Sequence, residues 1–566
     1  MCPCRSALST PAYPFPTEFV AYEAKRTAAL AKGAGTKWLG MAGGKLAYGK
    51  AADGSQIPDF SAVGYHAGER ALPAAASLKT LATLAADANA GDDTARIQAA
   101  LDAARTAALD VNGYRGAVVL GAGVFRLATG VVIKHDGVVL RGAGAGATTL
   151  LATAKKQVRT LLLLLLLPLP QLLLLTPRKY TMVEVLGASV PGVSNAASMT
   201  AGRVTADAPI GAKTLKVADA SGFKKGDVVV LAVPLVDAKL VEALRMDKIC
   251  FPGDTTKDSK VGWTWTRAAD WDGQWSVGYA KCNACTQAAT AASATLAMRG
   301  SVTFERTVLQ VDAAAKELLF KEPICMKISA SFGEDDAVVA CVTAHVAACD
   351  AAPCADVSLA GGAWVFPTAY GVAGSMPFAS RNAGARIKHA GVEDLELKSA
   401  YVAGKEDSDE AHAWRGVRID NAENCFARRL ACKHIGASST PRCCPAALAA
   451  PLTHGFAPGF ACVDAARGAI RVTVQDVVSA APVSKIQGGR RYSFNCDGQL
   501  VLLQRLRADS GRHDYATGSR VAGPNVFRDA VSTNALADIG PHHRFGSGQL
   551  YEVHDGLLLA VDCCCC

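Results

Sequence analysis

Short apolar runs separated by glycine turns, with no helical period between them, most limit the folds open to this chain. GAVVLGAGVFRL (116–127), GVVIKHDGVVLRGAG (130–144) and TTLLA (148–152) carry Val and Leu densely enough for burial, and each run is too short for a helix. Successive short strands without intervening helices fit a stacked coil, in which each rung buries its apolar side only against its neighbours. The pattern resumes at Arg386: in ARIKHAGVEDLELKSAYVAG, Val392, Leu395 and Leu397 are expected to face inward, and VRIDNAENCFARRLACKHIG repeats the arrangement about one coil later.

The sequence between these stretches sets the boundaries. Residues 1–55 read as a loosely ordered leader. Residues 56–160 read as N-terminal rungs with a capping helix, in which Asp92 or Asp93 caps a segment carrying Ile97, Ala100, Leu101 and Ala104 on one face. That helix is expected to act as a lid on an otherwise adhesive sheet end. Gly142, Gly144 and Gly146 are read as tight turns, because no strand-to-helix switch follows them as a dinucleotide loop would require. Residues 161–180 form a leucine-rich insertion. The run from Leu161 to Leu175, interrupted by Pro168 and Pro170, falls short of the roughly 20 apolar residues of a membrane span. Residues 181–385 read as an inserted β-subdomain with Ala- and Cys-rich loops; within it, TLKVADASGFKKGDVVVLAV contains two strands punctuated by Asp219, Gly226 and Asp227. Residues 386–555 are the C-terminal rungs and 556–566 a cysteine-rich tail.

Composition adds little to this division. With 59 Lys and Arg against 50 Asp and Glu the net charge is +9, but the basic residues are scattered, so nucleic acid is not an expected partner. A mild basic excess suits a polyanionic carbohydrate equally well. The 19 cysteines favour an oxidising compartment, although Met1 to Arg26 lacks the pattern of a signal peptide. Cys282 and Cys285 have the spacing of half a zinc site without a second pair, and no metal site is assigned. Trp263, Trp265, Trp271 and Trp275 fit either a sugar-stacking platform or a local core.

Polar chemistry concentrates between Gly488 and Gly548, where turns carry Arg490, Arg491, Arg512, His513, Asp514, Arg520, Asp538, His542, His543 and Arg544. Taken together, PDFSAVGYHAGE, DDTARIQAALDAA, VEDLELKSAY, DEAHAWRGV, GGRRYSFNCDGQ, GRHDYATGSRVAGPNVF and GPHHRFGSG resemble the pectate-lyase-like group of right-handed parallel β-helix proteins, with an N-terminal module similar to the rhamnogalacturonase/epimerase-like type. The resemblance covers about Pro58 to Tyr551. It implies an all-β, right-handed parallel β-helix and an extracellular or cell-wall polysaccharide as the default partner. A solenoid capped at both ends needs no second subunit, so a monomer is expected. The resemblance supplies no catalytic residues, because the superfamily includes lyases, hydrolases, epimerases and phage tail proteins.

The site residues therefore rest on chemistry. β-Elimination on a uronic acid needs a cation for the sugar carboxylate, a base for the adjacent proton and an acid for the leaving oxygen, which Arg512, His513, His542 and His543 provide. Hydrolysis needs two carboxylates across the scissile bond, for which Asp514 and Asp538 are the preferred pair. Arg520, Arg544, Arg491, Asp409, Glu410 and His412 are the expected substrate-binding residues. No cofactor is assigned; a calcium route is open, with Asp407, Asp409, Glu410 and Asp514 as oxygen donors. β-Elimination is the leading reading; hydrolysis and glycan binding without cleavage are the alternatives.

Overall fold

The computed structural model describes residues 37–43, 45–153, 181–188, 202–233, 302–328, 364–367, 386–409, 413–436, 461–486, 490–518, 521–541 and 546–554. A first parallel sheet passes through Thr80–Leu84, Gly116–Leu120, Val138–Arg141, Gly391–Ser399, Phe426–Lys433, Thr473–Ala480, Leu502–Asp509, Ala522–Thr533 and Ser547–His554. A second passes through Val131–Ile133, Thr181–Leu186, Arg415–Asp420, Val463–Ala465, Tyr492–Cys496, His513–Thr517 and Gly540–Pro541. Ile387–Lys388, Ala422–Glu423 and bridges at Ile470 and Gln499 make a narrow third ladder. From Ile387 to Gly540 each coil contributes to the first two faces in turn, so the fold is a parallel β-helix.

Register turns the apolar pattern into a core. Val392, Ala427, Val474, Leu503 and Phe527 are successive ladder partners, as are Leu395, Leu430, Val477, Leu506 and Ala530. All ten are fully buried. The expected inward residues Val392, Leu395 and Leu397 therefore lie in the core. Phe494 stacks on Tyr515 and Phe527 on Tyr551, with centroids 5.4 and 4.6 Å apart. Burying one such side chain contributes about 1.5–3 kcal/mol, but only once the adjacent coil is in place, which makes stability a nearest-neighbour property.

Val392 and Leu395 both face inward because the strand bends between them. Asp394, Arg429, Asp476, Arg505 and Asp529 occupy aligned positions in five successive coils, and all take left-handed backbone angles, with φ from 50° to 60°. A left-handed non-glycine residue costs about 1–2 kcal/mol, offset here in part by ion pairs: Arg429 holds Asp394 and Arg505 holds Asp476. In the preceding coil two strands do the same work. Val138–Arg141 and Thr148–Ala152 pair with the two halves of Gly391–Ser399, and the Gly142–Gly146 turn joins them. A Cβ at Gly142 would stand 2.2 Å from the Asp394 carbonyl oxygen, while Gly144 and Gly146 take φ of 137° and 97°, so the turn reading rests on close approach at the first and on backbone angle at the other two.

At the N-terminal end, helix Thr94–Ala103 buries Ile97 and Leu101. Its Gln98 side chain exchanges hydrogen bonds with the Val132 backbone (2.8 and 3.0 Å), which satisfies peptide groups at the edge of the second sheet. Asp92 accepts the Thr94 amide at 2.9 Å, whereas Asp93, the residue at the N-cap position, turns its carboxylate to the Arg126 amide. Part of the expected loose leader is ordered as an antiparallel hairpin, Leu39–Ala42 with Lys45–Tyr48.

Among the described residues, the coils break off after Leu186 and resume at Arg386. Thr181–Leu186, grouped by sequence with the insertion, is a strand of the second sheet. Between these points lies a six-stranded sheet in the order Gly202–Arg203, Trp364–Pro367, Val228–Val233, Val302–Asp312, Glu317–Phe320 and Thr214–Lys216, with antiparallel pairing throughout. It has its own core, including Val229, Leu231, Phe304, Leu318 and Phe320. Buried ion pairs weld it to the coils: Arg386 grips Glu305 at two points (2.5 and 2.7 Å), and Arg471 meets Glu322 at 2.5 Å. Inside the helix, a disulfide joins Cys432 of the first sheet to Cys462 beside the second. Among the described residues no helix is long and apolar enough to cross a membrane. The leucine tract, the Trp263–Trp275 group, Cys282, Cys285 and the terminal cysteines lie outside the described residues.

Candidate functional site

Of the residues singled out by sequence, Glu410, His412, Arg520, His542, His543 and Arg544 lie outside the described residues. Arg491 is a structural clasp. Its buried guanidinium donates to the Ser484 and Glu406 carbonyls (both 2.8 Å) and meets Asp407 at 2.5 Å, so one side chain ties two turns of the chain together. Asp409 accepts the Val402 amide at 2.8 Å. Arg512 is half-buried, and its backbone amide donates to the Arg491 carbonyl.

His513 and Asp538 do meet. The His513 ring is buried, and its Nδ1 lies 3.0 Å from Asp538 Oδ1 and 3.1 Å from the Asp538 carbonyl of the next coil. Asp514 lies beside it in sequence but serves a different contact. Its two oxygens accept Ser493 Oγ from the coil before and Ser532 Oγ from the coil after, both at 2.6 Å. Burial pushes its carboxyl up to about 6, against the pull of the two serine hydroxyls. A Cβ at Gly511 would stand 1.8 Å from Asp514 Oδ1, so glycine is required for this fit. Asp407, Asp409 and Asp514 thus all have protein partners. Among the described residues no group of three or more His, Cys, Asp and Glu side chains could hold a metal ion.

A second constellation lies on the outer side of the second sheet. Val417, Ile419, Val463, Ala465, Phe494 and Cys496 face the core, so the residues between them, Arg418, Asp464 and Asn495, face outward. Register aligns them in one column with Glu184 before and Ala516 after. Asp464 pairs with Arg415 Nε at 2.9 Å and lies 3.8 Å from Arg418 Nε, while Arg418 also binds Asp420 at 2.5 Å. Asn495 donates to Asp464 Oδ1 at 3.0 Å, and its side chain also holds the Asp497 carboxyl down.

Asp497 follows the strand Tyr492–Cys496 and accepts the Gly518 amide at 2.8 Å. A Cβ at Gly518 would come within 2.2 Å of its Oδ1. Burial first, and then the negative charge of Asp464, push the Asp497 carboxyl up to about 6, opposed by Arg467, the Gly518 amide and Asn495. Two neighbouring carboxyl groups therefore have different surroundings: one ion-paired to arginine, one able to carry a proton near neutral pH. That is the division of labour required by acid–base chemistry on a glycosidic bond. Asp464 is fully buried and Asp497 is 7% exposed, while Arg418, Asp420 and Glu184 are half-buried at the rim.

No family model matches the chain, and no curated protein does. Among solved structures it is similar to the tailspike protein gp49 from Pseudomonas phage LKA1, with 10% identity and a TM-score of 0.35 over 80% of this chain and 49% of that one. It is also similar to the tailspike gp61 of Pseudomonas phage phi297, with 10% identity and a TM-score of 0.32 over 78% of this chain and 44% of that one. A third is the Gp54 tailspike of Acinetobacter baumannii bacteriophage AP22 in complex with A. baumannii capsular saccharide, with 8% identity and a TM-score of 0.18 over 79% of this chain and 56% of that one. The chain spans about half the length of the solved proteins it matches. The helix itself is established by the strand pairing above, and the pectate-lyase-like resemblance goes no further than that fold.

Sequence reasoning missed Arg415, Arg418, Asp464, Asn495 and Asp497. A signal for three of them was present: VRI, VDA and FNC each place one polar residue between two apolar ones, the mark of an outward position on a half-buried strand.

Proposed function

We propose that this chain is a carbohydrate-active β-helix protein that binds an extracellular polysaccharide and hydrolyses it, with Asp497 as the proton donor and Asp464 as the partner carboxylate. The observation that carries the reading is an arginine-paired carboxylate, Asp464, beside a second carboxyl, Asp497, that burial and the Asp464 charge push up to about 6, with Arg415 and Arg418 next to them. Arg418, partly exposed at the rim, is suited to an acidic sugar. Hydrolysis is preferred to β-elimination because the described base candidate, His513, has its Nδ1 held by Asp538, whereas Asp464 and Asp497 are two neighbouring carboxyls with different surroundings. Binding without cleavage is the second reading, favoured by the burial of both acids. The buried Cys432–Cys462 disulfide supports an oxidising, extracellular setting.

The test is incubation of the purified full chain with acidic and neutral polysaccharides, following reducing ends and unsaturated-uronate absorbance in parallel. Hydrolysis yields reducing ends without absorbance, and Asp497→Asn and Asp464→Asn abolish them. Absorbance rising with reducing ends establishes a lyase. Retention on an immobilised polysaccharide with neither signal establishes binding alone.

A further inference from the structure

Residues 64–66 lie as a strap across the coils within a segment, 56–70, whose Gln56, Asp59 and Glu69 are bound to Ile210, Lys213 and Lys321 of the six-stranded module. Three consecutive amides fasten the strap to three successive coils: His66 to Asn424 Oδ1 (2.9 Å), Tyr65 to Thr473 Oγ1 (2.8 Å) and Gly64 to the Leu500 carbonyl (2.8 Å). Tyr65 Oη meets Tyr114 Oη at 2.8 Å. Beside these contacts the Nε2 atoms of His66 and His389 lie 3.0 Å apart, with rings 5.1 Å between centroids and 11° from parallel. An N–H···N bond between two imidazoles needs one donor and one acceptor, so at least one ring must be neutral. If both are protonated, two N–H groups and two positive charges face each other at that distance.

The strap is also under local strain. His66 and Ala67 are consecutive non-glycine residues in the left-handed region, with φ of 49° and 57°, a conformation that external contacts have to maintain. We propose that the His66–His389 pair is a pH-sensitive latch: it holds the strap on the coils while one ring is neutral and releases it when both are protonated.

The charges around the pair do not relieve a second proton. His66 faces Glu423 and Glu69 but also Arg70 and Arg471, and His389 faces Asp136 and Glu423 but also Lys388 and Arg70. Glu423 is itself engaged by Arg471 at 3.1 Å and Lys388 at 3.5 Å. Burial, followed by His389 and Arg70, pushes His66 down to about 4, and burial pushes His389 down as well. A histidine lowered in the closed state takes up its proton more readily in the open one. Closure is thus fully favoured above the ordinary histidine value of about 6.5 and is weakened as pH falls from there towards 4.

The test is hydrogen exchange of the full chain between pH 7.5 and 4, corrected for intrinsic rates and read at the amides of residues 64–66 and of Phe426–Lys433. The expected result is a fall in protection on the order of a hundredfold at residues 64–66, with the strand still protected and the pH dependence flattened in His66→Asn. Asn tolerates the left-handed region, and His389→Asn serves as the second variant. Protection at residues 64–66 that is independent of pH, an unchanged pH dependence in both variants, or simultaneous loss in the strand would each overturn the proposal.

Discussion

Asn495 reaches back one coil to donate to Asp464 Oδ1 at 3.0 Å, and the same side chain pulls the Asp497 carboxyl down. Asp464 and Asp497 stand more than thirty residues apart in sequence and are neighbours only because of the coil register. Because the Asn495 side chain favours the ionised form of Asp497, its removal raises the pKa of that carboxyl further. If Asp497 is the proton donor, activity falls as pH rises through about 6, and in Asn495→Ala this limb moves to higher pH. Asp497→Asn should lower the rate by roughly a hundredfold or more. The check is the pH dependence of reducing-end release by the three proteins.

Asp514 gives an opposite expectation. Its carboxyl is raised in the folded protein to about 6. The stability from this shift is therefore present below the ordinary aspartate value and lost as pH rises through 6. At pH 7.5 the buried charge costs about 3 kcal/mol, by the conversion of roughly 1.4 kcal/mol per pKa unit. Asp514→Asn keeps partners for Ser493 and Ser532, so it should stabilise the chain at pH 7.5 by up to that amount and leave it nearly unchanged at pH 4. Urea midpoints at the two pH values measure this. A difference that does not vary with pH would refute the assignment, and loss of cleavage in a well-folded variant would return Asp514 to the catalytic candidates.

Of the two buried pairs that hold the six-stranded module to the coils, Arg386–Glu305 gives the sharper test. Arg386 and Glu305 are nearly inaccessible and bind in two-point geometry. Removing one partner strands the other charge, at a cost of about 3–5 kcal/mol. Arg386→Ala should therefore expose the module to protease before the coils. The double change Arg386→Leu with Glu305→Met should recover most of the loss, since an apolar pair of similar volume leaves no unpaired charge.

Several features were legible in the chain because they are local. Glycine-punctuated apolar runs identify strands and turns, and the helix over Thr94–Ala103 follows from its period. Val392, Leu395 and Leu397 are recognisable as inward-facing, and Asp219 and Gly226 mark the turns between Thr214–Lys216 and Val228–Val233. The site was much less legible, because residue type does not reveal whether a side chain is already occupied. Arg491 has the chemistry of a carboxylate clamp, yet it is used on Ser484, Glu406 and Asp407. His513 has the chemistry of a base, yet it is buried against Asp538.

The sequence by itself determined the kind of structure, a stack of short strands with apolar interiors, because strand period and turn chemistry act over a few residues. Only the tertiary structure decided which polar residues meet. Asp464, Asn495 and Asp497 belong to two different coils, and Arg415 and Arg418 to a third. The alignment of those coils depends on rung lengths and on the left-handed bend shared by Asp394, Arg429, Asp476, Arg505 and Asp529. A shift of one residue between neighbouring strands would turn every outward side chain inward and break up the column.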